Sequence, residues 1–71
     1  MQITRSDLML ARDAAARAFN AKQAALANLD RNHTEANCAV AGNMARAWKK
    51  AVARHDSMQR QFSAQQVREA A

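Results

Sequence analysis

Seventy-one residues hold one domain at most, and a chain of that size buries only a modest part of its surface. Proline is absent, glycine occurs once at Gly42, and the aromatics are limited to Phe19, Trp48 and Phe62, which excludes a strand-rich fold. Eleven Lys and Arg against six Asp and Glu leave a net charge of +5 and a pI near 10.8, a balance that attracts acidic partners without naming one.

Much of the apolar content is alanine, at 19 of the 71 positions. Alanine is the best helix former and contributes little burial. Strong local propensity with a thin core points to long helices that pack closely or self-associate. Cys38 stands alone, which excludes an internal disulfide and suits a reducing compartment. The opening stretch Met1-Gln2-Ile3-Thr4-Arg5 lacks the apolar run of a signal peptide, and no segment approaches the roughly 20 apolar residues of a membrane span. The expectation is a soluble, cytoplasmic protein.

The first helix is expected at about residues 5–29. Thr4 fits its N-cap, with Asp7 three residues on as the reciprocal partner of a capping box and Ile3 placed to staple onto Leu8. At 100° per residue, Leu8, Ala11, Ala15, Ala18, Phe19, Ala25, Leu26 and Leu29 share one face. Lys22 projects from the middle of that stripe, where its stem can pack while its amine reaches out. Alternatively it meets an acidic group of a partner.

The polar run Asn28-Leu29-Asp30-Arg31-Asn32-His33-Thr34 is the best break in the chain, with the bend at about 30–34. Asn32 with Glu35, or Thr34 alone, can cap the next helix. So short a connection joins antiparallel neighbours.

The second helix, about 35–69, has the cleaner pattern. Ala41, Met44, Trp48, Ala51, His55, Met58 and Phe62 step three and four along the chain, a heptad seam flanked by Ala45 and Val52. Asp56 or Ser57 offers a weaker start for a third short helix. On these lengths the second helix overhangs the first by about 15 Å, carrying Phe62 and Val67 with it. A second copy would cover them. The expected architecture is therefore an all-α, antiparallel two-helix hairpin spanning 1–71 as a single domain, dimerising into a four-helix bundle. The interface candidates are Phe19, Leu26, Met44, Trp48, Val52, His55, Met58 and Phe62, with Trp48 either core or anchor and His55 a satisfied or a pH-sensitive interface residue.

No acid lies between Glu35 and Asp56, while Arg46, Lys49, Lys50 and Arg54 crowd one side of the helix, and Arg60 and Arg68 extend it. A basic stripe opposite an apolar seam is either a solvated face or a surface for phosphates or an acidic protein. The candidates for nucleic-acid or acidic-partner binding are Arg46, Lys49, Lys50, Arg54 and Arg60. No aromatics interleave them, which argues against base stacking. A helix-turn-helix over residues 35–55 would put its turn at Gly42, but Asn43 then stands where an apolar residue is wanted.

Catalytic options are poor. Cys38 with His33 or His55 is the one nucleophile–base pairing available, with nothing to mark an orienting group or oxyanion site. His33, Cys38 and an acid lack standard metal spacing, there is no glycine-rich phosphate loop, and the apolar faces have too little bulk for membrane-surface binding. No enzyme activity, cofactor or metal is expected.

Leu26, Leu29 and Asp30, leading through a polar bend to Cys38 and Ala45, make a layout similar to Rop-type plasmid regulators. The resemblance covers under a third of the chain and implies a dimer of helical hairpins. In that family the RNA contacts come from polar and aromatic positions of the first helix. Here that region offers Leu10, Ala14, Ala18 and Ala25, so no RNA-binding residues carry over, and the resemblance bears on architecture alone. The functional expectation is a small, basic, non-enzymatic regulatory or adaptor protein acting by protein–protein interaction through the hairpin. The alternatives are a nucleic-acid-binding regulator using the basic face, and a structural subunit of a larger helical assembly.

Overall fold

The computed structural model describes residues 2–70. Two helices, α1 (Arg5–Arg31) and α2 (Glu35–Ala70), fold back on each other. The start of α1 is the capping box expected from Thr4 and Asp7. The Asp7 amide donates to the Thr4 hydroxyl at 3.1 Å, and the Thr4 amide donates to the Asp7 carboxylate at 2.9 Å. Two of the helix's orphan N–H groups are satisfied in this way.

The helix ends two residues later than the sequence pattern suggests. Asp30 and Arg31 belong to its last turn, where the Arg31 charge suits the negative end of the helix dipole and its guanidinium donates to the Asn28 side chain. The true link is three residues, Asn32–Thr34. It turns without a positive φ among the described residues: Asn32 is extended, at φ −147° and ψ 93°. The Asn32 carbonyl accepts from the Thr34 amide at 2.9 Å and from the Asn37 side-chain amide at 2.7 Å. The cap of α2 is Thr34, whose hydroxyl accepts from the Asn37 amide at 3.1 Å.

Helix α2 runs unbroken through Gly42 and through Asp56–Ser57. The turn that a helix-turn-helix requires is therefore missing, and so is the third helix considered at Asp56. Both signals are weak polar or glycine positions inside a continuous seam, and tertiary packing overrides them.

The seam is two-sided. On α1 the heptad positions a and d are Leu8, Ala11, Ala15, Ala18, Lys22, Ala25 and Leu29. On α2 they are Asn37, Ala41, Met44, Trp48, Ala51, His55, Met58, Phe62 and Gln65. All of these are buried or half-buried. The fully buried ones are only Ala25 and Ala41, at 5% and 6% exposure. Small side chains on α1 let the rods approach closely and leave little to bury. The shape follows from the helix length: the molecule measures 56 × 15 × 14 Å, and 36 residues of α2 rise about 54 Å. Its radius of gyration is 16.3 Å, against about 11 Å for a compact chain of this length.

At the open end α2, with 36 residues against 27, outruns α1 by about 14 Å, close to the expected overhang, and the residues before α1 run alongside it. The Gln65 side chain accepts from the Ile3 amide at 2.8 Å and donates to the Ile3 carbonyl at 3.0 Å, and Gln2 donates to Glu69 at 3.3 Å. Phe62 is half-buried on the seam, and Val67 is 70% exposed.

Candidate functional site

An antiparallel seam leaves two long flanks, one where the e positions of the helices meet and one where the g positions meet. On the first flank α1 places Phe19 and Leu26, and α2 places Ala45 and Val52. Phe19 and Leu26 remain 39% and 41% exposed. Phe19 meets Trp48 with ring centroids 5.8 Å apart and planes tilted by 60°. The Lys22 amine lies 4.1 Å from the Trp48 ring centre and 4.8 Å from that of Phe19. The seam lysine thus turns its charge onto two aromatic faces of its own hairpin.

The second flank carries an open groove of about 380 Å³ lined by Asp7, Leu10, Ala11, Ala14, Lys50, Ala51, Arg54 and Met58. Its floor is the apolar seam residues Ala11, Ala51 and Met58, and Leu10, 65% exposed, stands on its α1 side. Lys50 and Arg54 form one wall. The Asp7 carboxylate at its end is engaged by the Thr4 amide.

Of the interface candidates, Met44, Trp48, His55, Met58 and Phe62 lie half-buried on the seam between the two helices of one chain. Phe19, Leu26 and Val52 flank that seam on the first face. His55 Nδ1 stands 3.4 Å from Asp56 Oδ1.

The basic candidates Arg46, Lys49, Lys50, Arg54 and Arg60 are all exposed, as is Arg68. They spread over an outward arc of α2 and do not form a narrow line. Among the described residues the one ion pair within 4.0 Å is His55–Asp56, so these cations have no carboxylate partner. Arg46 lies over Gly42 and donates to Asn43. The hairpin also concentrates charge in a way the linear sequence hides. Residues 10–26 and 43–61, side by side in the middle of the rod, hold eight Lys or Arg against two Asp, a net +6; the remainder of the chain sums to −1.

Of the two pairings open to Cys38, the fold brings His33 close: Nε2 is 3.7 Å from Sγ, with both residues exposed at the bend. Neither borders the groove described above. Among the described residues there is no cluster of three or more His, Cys, Asp or Glu placed to hold a metal. No described helix is long and apolar enough to cross a membrane.

Sequence reasoning missed the Gln65–Ile3 clamp and the aromatic seat of Lys22. The short run Gln2-Ile3 before Thr4 carries no signal for the first. The second was legible only in part, as a cation out of place on an apolar stripe. Comparison with protein-family models, with curated proteins and with solved structures finds no match to this chain.

Proposed function

We propose that this chain is a small, basic, non-enzymatic regulatory or adaptor protein of the cytoplasm, which works by protein–protein contact as a homodimer of helical hairpins. The observation that carries the reading is the near absence of an intrachain core. Among the described residues nothing larger than alanine is fully buried, while Met9, Leu10, Phe19, Leu26, Val40 and Val67 are each at least 39% exposed. The chain exposes 5501 Å², against about 4400 Å² for a compact monomer of 7.8 kDa. A chain this small with so little burial needs a partner surface to be stable.

The first face is the better self-complementary surface. Phe19, Leu26 and Val52 give it apolar area, and Asp56 on α2 gives Arg12 and Lys49 an opposite charge across a twofold axis. Four helices packed in this way form a bundle with those side chains inside.

A second reading, a nucleic-acid-binding regulator, has one specific observation in its favour: the unpaired cations Arg46, Lys49, Lys50, Arg54 and Arg60 in the net +6 belt. Light scattering of the purified chain, with and without a random DNA duplex at low salt, separates the two. Twice the 7.8 kDa chain mass, unchanged by duplex, supports the adaptor reading. A rise in mass on adding duplex, reversed by salt, favours the second. A monomeric mass at all concentrations contradicts the assembly.

A further inference from the structure

We propose that the groove on the second face is a docking site for an acidic amphipathic helix of a protein partner, with Lys50 and Arg54 as its ion-pairing rim, Leu10 on the opposite wall and the seam residues Ala11, Ala51 and Met58 in its floor. This deepens the adaptor reading and rests on it.

The choice of occupant follows from charge and shape. No carboxylate of the described residues lies within 4.0 Å of Lys50 or Arg54, and Arg17 stands one turn along α1 from the groove residue Ala14. The one acid at the groove, Asp7, is engaged in the α1 cap. Lys50 and Arg54 are four residues apart on one helix, a rise of about 6 Å. Carboxylates at i and i+4 on a facing helix repeat at the same interval. The floor is the half-buried seam residues Ala11, Ala51 and Met58, and the exposed Leu10 and Ala14 of α1 form the wall opposite Lys50 and Arg54. A groove between two helices, floored by small and apolar side chains, takes the apolar ridge of a third helix.

Two other occupants fit less well. A twofold-related copy meeting this face at its middle sets Lys50 and Arg54 against themselves, a like-charge contact that disfavours association. A nucleic acid would use the rim cations but gains nothing from the apolar floor, and no aromatic side chain lines the groove for base stacking.

The test titrates the full chain with a three-heptad helical peptide carrying Leu at a and d and Glu on the flanking positions. Saturable binding of one peptide per chain is expected. Affinity should fall roughly tenfold in the Lys50→Glu/Arg54→Glu variant, where two attractive rim pairs become repulsive. It should also fall in Leu10→Glu, and stay within about twofold in Arg5→Glu, a charge reversal at an exposed residue outside the groove. Circular dichroism checks helicity, and Lys50→Gln/Arg54→Gln replaces the double reversal if that variant loses helix.

Equal losses in Arg5→Glu, or equally tight binding of polyglutamate, would reduce the effect to general charge attraction and overturn the groove. So would binding of duplex DNA through Lys50 and Arg54 with none of the peptide. A chain that dimerises yet ignores the peptide overturns the groove alone and leaves the homodimer standing.

Discussion

The ammonium of Lys22 sits 4.1 Å from the centre of the Trp48 ring, joining α1 to α2 at a seam position where a heptad pattern calls for an apolar side chain. The charge is accommodated because Trp48 and Phe19 offer it two π faces, and its stem covers part of the seam. Replacing it should therefore cost stability despite the unfavourable position. Lys22→Ala is expected to lose about 1 kcal/mol and to change the emission of Trp48, whereas Lys22→Arg, which also stacks on aromatics, should keep most of the stability. Urea unfolding followed by tryptophan fluorescence measures both.

The Gln65 amide closes a two-bond ring with the backbone of Ile3, tying residues before α1 to the last turns of α2. Each bond contributes about 1 kcal/mol, and the segment it holds is short. Gln65→Leu should raise the hydrogen-exchange rate of the Ile3 amide sharply while leaving exchange in the middle of the seam nearly unchanged. Uniform acceleration along both helices would mean that the clamp supports the whole hairpin.

Two substitutions near the bend should move stability in opposite directions. Thr34→Ala removes the hydroxyl that caps α2 and is expected to cost about 1 kcal/mol. Gly42→Ala adds a methyl group in the interior of α2, where the nearest neighbour is the Arg46 guanidinium at 3.6 Å, an ordinary contact with a flexible group. It should stabilise by about 1 kcal/mol. Thermal melts of the two variants beside the parent chain give the signs directly.

The buried alanines set how closely the rods approach. Ala25→Leu places three further carbons where α1 meets α2, and the rods must separate or bend to admit them. A loss of about 1–3 kcal/mol is expected in chemical denaturation. A gain would show that the hairpin has slack at its centre.

The elements were legible in the sequence because their signals are local. The absence of proline, the Thr4–Asp7 box and the three-four stepping from Ala41 to Phe62 all act within one or two turns. The bend was blurred because Asp30 and Arg31 are polar whether they sit in a loop or on the surface of a last helical turn. The overhang of α2 was legible from helix lengths, but lengths alone do not reveal that Ile3 reaches Gln65, a pairing 62 residues apart. The basic residues could be named from the sequence, and so could their acid-free stretch. Their gathering with Arg12, Arg17 and Lys22 into one central belt, and the groove between Leu10 and Lys50, depend on the antiparallel register of the two helices.

A hairpin whose described residues fully bury only alanine should fold together with a second copy, and the dependence of melting temperature on protein concentration tests this most directly. Folding coupled to dimerisation predicts a midpoint that climbs steadily over a hundredfold range of concentration. A midpoint that stays fixed across that range, with the same cooperative loss of helix, would show a hairpin stable by itself and contradict the account.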